Sequence, residues 1–214
     1  MPRVAFRLWL KPEPELIETY VRYHLDPFPE LYDLIRAAGI RRYTIWLDET
    51  DLLLTREGET PTVGEKLRPE DPVHKDWIDH MTPCFQPRVR ESGATMPEEI
   101  FSFQPDGAPG PFQMTYRVRL RPGQAALDGM RAVHAQIPPE LLDAMHAAGI
   151  RRQWTWIEDG DGWVYREADD IEAASRALFA NPTYRAFRAS MEPAMDPAAF
   201  AAGPRATREV FRCD

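Results

Sequence analysis

The chain has 214 residues, a formal charge of −8, and 43% hydrophobic and 28% charged residues. That composition excludes a disordered or fibrous chain, and the acidic balance gives no sequence-independent attraction to nucleic acid or anionic lipid, which are not expected as partners. Cys84 and Cys213 are too few for a disulfide framework or a four-cysteine zinc site, and no apolar run approaches the roughly 18 residues needed to cross a bilayer, so a cytoplasmic protein with no membrane partner is expected.

In chain order, residues 4–10 are apolar and end at Lys11-Pro12, which predicts a strand. A helix is expected over 14–24, broken by Pro27 and Pro29, with a second segment over 30–38 that ends at Gly39, where a left-handed residue suits a helix terminus. Strands over 42–47 and 52–57 flank the Asp48-Glu49-Thr50-Asp51 turn, a helix over 72–81 follows, and a strand over 98–103 closes the unit. The order is β-α-β-β-α-β, that of a ferredoxin-like unit with helices on one face of an antiparallel sheet.

The same text then recurs. PELYDLIRAAGIRRYTIWLDE from Pro29 and PELLDAMHAAGIRRQWTWIED from Pro139 are related by a shift of 110 residues. Without a gap that shift carries Pro12 to Pro122, His24 to His134, Trp46 to Trp156, Gly39 to Gly149 and Phe101 to Phe211. In the second copy Asp159-Gly160-Asp161-Gly162 occupies the hairpin turn. A tandem duplication follows, with the Pro/Gly-rich segment 104–111 as the seam and units over 1–107 and 108–214. Two such α+β units can pack sheet against sheet as an intramolecular dimeric α/β barrel, a pseudo-dimer within one chain.

Several side chains could carry chemistry. Tyr20 and His24 are four apart on a helix, so a phenol and an imidazole share a face. Tyr43 and Trp46 fall on opposite faces of a strand, so only one of them can face a pocket, and Trp77 offers another aromatic plane. His74, His80 and Cys84 with Asp76 and Asp79 match no zinc or iron spacing, and no metal is expected there. Phosphate loops, dinucleotide fingerprints and serine-hydrolase elbows are missing from the sequence. The Arg- and Glu-rich stretches, such as 88–91 and Glu98-Glu99, are expected to be solvated faces, and no function attaches to the bias that makes 23 of 26 basic residues Arg.

The opening Ala5-Phe6, the Tyr20-x-x-x-His24 helix with the segment 27–31, the stretch 39–48 with Tyr43 and Leu47-Asp48, the segment 77–81 and the tail at Glu99-Ile100-Phe101 together resemble the L-rhamnose mutarotase family over nearly all of 3–103. The resemblance implies ferredoxin-like units paired into a dimeric α/β barrel, and interconversion of the α and β anomers of a monosaccharide with no cofactor. It implies that His24 is the proton donor, that Tyr20 and Tyr43 contact the sugar, and that Trp77 is the first of a tryptophan pair whose second member is Ile78 here. The C-terminal half keeps His134 as a possible second site, but Met130, Gln153 and Phe187 stand where Tyr20, Tyr43 and Trp77 would. The expectation is therefore an active first unit and a degenerate second one that serves as its pairing partner. Two other readings stay open: a non-catalytic sugar or small-molecule binding protein, and a different cofactor-free enzyme acting on an aromatic substrate.

Overall fold

The computed structural model describes residues 1–59, 71–158 and 160–214. The first half runs β1 (Arg3–Trp9), α1 (Pro14–Leu25), α2 (Pro29–Ala37), β2 (Ile40–Asp48), β3 (Asp51–Gly58), α3 (Pro72–Met81), α4 (Pro87–Ser92) and β4 (Glu98–Phe103). The second runs β5 (Phe112–Arg119), α5 (Gln124–His134), α6 (Pro139–Ala147), β6 (Ile150–Glu158), β7 (Asp161–Ala168), α7 (Ile171–Ala180), α8 (Pro182–Ser190), α9 (Pro197–Ala202), β8 (Arg205–Ala206) and β9 (Arg208–Cys213). Asp159 of the second hairpin turn lies outside the described residues.

Local chemistry accounts for these boundaries. Proline opens α1, α2 and α3, where its missing N–H would have had no partner in any case. The Asp71 carboxylate caps α3 by accepting from the Val73 and His74 amides. Gly39 and Gly149 stand at φ +79° and +81°, the left-handed conformation that ends α2 and α6. β1 alternates buried and half-buried residues, the period-two signature of a strand.

Both units are α+β and ferredoxin-like, but the chain does not divide at its middle. Unit 1 comprises Met1–Met96 with Arg208–Asp214, and unit 2 comprises Pro97–Thr207. The repeats expected over 1–107 and 108–214 and these compact units differ in the place of two strands, β4 and β9. The sheets run β1-β3-β2-β9 and β4-β6-β7-β5-β8. The shift of 110 residues that carries Glu98 to Arg208 and Phe103 to Cys213 makes β4 and β9 copies of one another, and each lies in the sheet of the opposite half. β9 pairs antiparallel with β2, Tyr43 opposite Cys213 and Ile45 opposite Phe211. β4 takes the equivalent place beside β6, Phe103 opposite Gln153. On the side of β1 where a fourth strand of its own would lie, the described residues place the bridge Arg7–Thr95 and a bond from the Gln86 amide to the Trp9 carbonyl in place of a paired strand.

In unit 1, Leu10, Tyr20, Val21, Ile35, Leu52 and Met81 form the centre of a core between sheet and helices. In unit 2, Leu141, Met145, Ile150 and Leu178 form one such cluster and Leu120, Met130 and Ile157 another. The opposite face of each sheet is also buried, yet it is ionic. Arg3 donates to Glu57 at 2.5 Å, with both side chains fully buried, and the Trp46 indole donates to Thr44. In unit 2, Arg117 makes a two-pronged contact with Asp161 at 2.8 and 2.9 Å, and Arg152 does the same with Glu167 at 2.8 and 2.9 Å. This explains part of the bias toward Arg, because a planar fork satisfies both carboxylate oxygens where a lysine point charge would not.

Candidate functional site

Tyr20, His24, Tyr43 and Trp77 line one cavity in unit 1, with a volume of about 110 Å³. α1 presents Tyr20 and His24 from one face, their rings 4.2 Å apart. β2 presents Tyr43, and α3 sets the Trp77 ring edge-on to His24 at 5.1 Å. Trp46 lies on the other face of β2, bonded to Thr44, so Tyr43 is the strand aromatic that faces the cavity. His74 also lines the cavity, whereas His80 packs against Tyr23 at 3.8 Å.

Two further cavity residues were not among the expected ones. Phe211 comes from β9 and sits 5.6 Å from both His24 and Tyr43. Its signal was present in the sequence as the copy of Phe101, but the duplication assigns it to the wrong unit. Arg56 on β3 lines the same cavity, its guanidinium 5.0 Å over the Tyr43 ring and 4.8 Å over Phe6. It forms no ion pair among the described residues, and its Nε is buried without a hydrogen bond. A lone arginine on a strand gives no sequence signal that separates it from a solvated one.

His24 is 6% exposed, and its Nδ1 lies 2.9 Å from the Tyr20 carbonyl oxygen. A carbonyl can only accept, so Nδ1 carries the proton and Nε2 presents a lone pair. Burial pulls the imidazole down to about 4, against which the Tyr20 carbonyl works in part. At neutral pH His24 is therefore neutral, with the Nε2 lone pair open to the cavity. Burial first, then nearby Tyr43 and Cys84, push the Tyr20 phenol well above its usual range, so it stays an O–H donor.

The depressed imidazole has a stability consequence. The unfolded chain binds this proton near pH 6.5 and the folded chain only near pH 4, so the stabilisation from neutral burial is complete above 6.5 and is lost as pH falls toward 4. The expected loss is about 3 kcal/mol across that window, read as a falling urea midpoint, and His24→Gln should flatten the slope. His134 is shifted in the same direction by the same cause and adds to the trend.

In unit 2 the His134 Nδ1 lies 2.9 Å from the Met130 carbonyl oxygen, and Phe187 stands edge-on to the ring at 5.4 Å. The frame around the histidine is thus kept, but the cavity it faces is about 720 Å³.

A family model for L-rhamnose mutarotase matches residues 3–103. A Brucella anthropi protein named L-rhamnose mutarotase is 40% identical over 80 residues, which are 37% of this chain and 74% of that protein. The chain belongs to the L-rhamnose mutarotase family. A Paraburkholderia xenovorans protein of the same name is 32% identical over 103 residues, covering 46% of this chain and 92% of that protein. The fold of the whole chain is also found in solved structures of two proteins described as putative monooxygenases. The Lactobacillus acidophilus structure has TM-score 0.58 at 11% identity and covers 100% of this chain and 96% of that one. The Fusobacterium nucleatum structure has TM-score 0.54 at 7% identity and covers 99% and 92%. In this mutarotase family member the matched segment holds Tyr20, His24, Tyr43, Arg56 and Trp77, while Phe211 lies beyond it. No helix among the described residues is long and apolar enough to cross a membrane.

Proposed function

We propose that unit 1 interconverts the α and β anomers of L-rhamnose or a related aldose without a cofactor, with His24 as the proton-transferring group. One observation carries the reading. The hydroxyls of Tyr20 and Tyr43 and the Trp77 indole N–H have no hydrogen-bond partner among the described residues, and all three side chains line one small cavity with the His24 ring. Donors and one acceptor that open together onto a compact space suit a polyhydroxylated ligand. The names of the relatives support a sugar as that ligand.

The chemistry follows from the protonation states. His24 Nε2 accepts the proton of the anomeric hydroxyl while a tyrosine hydroxyl donates to the ring oxygen. The bond from the anomeric carbon to the ring oxygen breaks, the carbonyl group turns about its carbon–carbon bond, and the ring oxygen attacks its other face. Both protons return by the reverse transfers, so nothing is consumed. Trp77 and Phe211 supply flat apolar surfaces for the C–H faces of the sugar.

Saturation transfer between the anomeric protons of L-rhamnose, L-fucose and glucose measures the exchange directly. The chain is expected to accelerate exchange for L-rhamnose or a close analogue, and His24→Ala to lower the rate by roughly 10²- to 10⁴-fold with the fold intact. A folded chain that accelerates none of these sugars would sink the enzyme reading in favour of a binding protein. The rate should stay level from neutral pH down toward 5 and fall around pH 4 as Nε2 takes up a proton. A fall centred near 6.5 would show instead that the reacting group is an ordinary exposed imidazole.

A further inference from the structure

The second unit does not have the anatomy of a decayed copy. Its cavity of about 720 Å³ falls within the roughly 300 to 1,000 Å³ usual for small-molecule sites, whereas the unit 1 cavity is about 110 Å³. Met114, Val118, Met130, Val164, Phe187 and Met195 give it apolar walls. Thioether side chains are unbranched and polarisable, so such walls accommodate a sizeable apolar body.

One buried cation breaks this surface. Arg166, on the central strand β7, is 6% exposed and lines the cavity. Its Nε donates to the Gln153 Oε1 at 2.9 Å across the β6–β7 pair, and its guanidinium lies 5.6 Å from the Tyr116 ring centroid. Among the described residues the terminal nitrogens of Arg166 make no hydrogen bond and no ion pair. Arg117 and Arg152, buried in the same sheet, are each matched by a carboxylate. Arg176 and Arg188 also line the cavity but are engaged, Arg176 by Glu172 at 3.5 Å and Arg188 by the Phe200 carbonyl. A desolvated guanidinium without a counter-ion is costly, and its fork matches both oxygens of one carboxylate.

The substitutions between the copies point the same way. Met130 and Phe187 replace the phenol of Tyr20 and the indole of Trp77, which removes two of the donors a sugar would use, and Gln153 replaces the phenol of Tyr43. Gln153 instead grips the Nε of Arg166 and so fixes the plane of its fork. We infer that the unit 2 cavity is a second binding site, for a carboxylate on an apolar body, in which Arg166 takes the carboxylate and the methionine-rich walls take the body.

The test uses the full chain with decanoate and 1-naphthylacetate as probes, decanamide and 1-naphthylacetamide as their uncharged counterparts, and calorimetry as the readout. At least one acid is expected to bind about tenfold or more tightly than its amide, and the preferred acid distinguishes an aliphatic from an aromatic body. Arg166→Gln should remove that preference while leaving amide binding in place. With methyl-labelled methionine, the preferred acid should shift the signals of Met114, Met130 and Met195 and spare Met81, which lines the unit 1 cavity. Equal affinity for acid and amide, shifts at Met81 alone, or binding of none of the four probes would overturn the inference. The comparison of acid with amide on the unaltered chain keeps the test decisive if Arg166→Gln does not fold.

Discussion

Removing residues 208–214 is expected to abolish both the cavity of unit 1 and most of the stability of that unit. β9 covers the edge of β2, and its Val210, Phe211 and Cys213 are 4%, 5% and 5% exposed. Burying a large apolar side chain contributes about 1.5 to 3 kcal/mol, so the three together account for several kcal/mol of a total that is typically about 5 to 15. The truncated chain should therefore lose a cooperative transition in thermal unfolding, and sugar-anomer exchange with it. Phe211→Leu separates the two effects, since it keeps most of the apolar volume but removes the ring beside His24 and Tyr43. That variant should remain folded with slower exchange. A truncated chain with an unchanged unfolding profile would show that β9 is dispensable.

Glu167→Ala is expected to destabilise unit 2 by about 3 to 5 kcal/mol. The Glu167 carboxylate is fully buried and accepts from the Arg152 fork, from the Tyr165 hydroxyl at 2.7 Å and from the Gly110 amide at 3.1 Å. Truncation leaves the Arg152 cation, itself 1% exposed, without its main counter-charge. The double change Arg152→Met with Glu167→Leu removes both charges and should cost clearly less than the single one, because no uncompensated ion remains. Urea unfolding of the single and double variants gives the two numbers. A single-variant loss below about 1 kcal/mol would mean that water or another group takes over the pairing.

The parts of the molecule visible in the sequence were those set by local spacing. Tyr20 and His24 are adjacent because a helix puts residues four apart on one face, and Tyr43 and Trp46 diverge because a strand alternates. Gly39 and Gly149 mark helix ends through their own backbone preference. The exchange of β4 and β9 left no such trace: two copies of one strand carry the same local preferences, so nothing near them in sequence states which sheet each joins. Phe211 was missed for that reason. The neutral state of His24, the open fork of Arg166 and the buried pairs of Arg3, Arg117 and Arg152 depend on burial by residues far along the chain, which spacing does not report.

The crossed strands also impose an order on biosynthesis. Asp48 ends β2 and Arg208, which begins its partner, lies 160 positions further on, so at about 5 to 20 residues per second a ribosome needs roughly 8 to 32 s to reach it. Throughout that interval β2 offers an open hydrogen-bonding edge. The strand at hand is β4, whose sequence is a relative of the right one, and a nascent chain that pairs β2 with β4 must undo the pairing before β9 can enter. Refolding should therefore contain a slow phase set by strand replacement, and the newborn chain has a window in which a second nascent copy can supply the missing strand in trans.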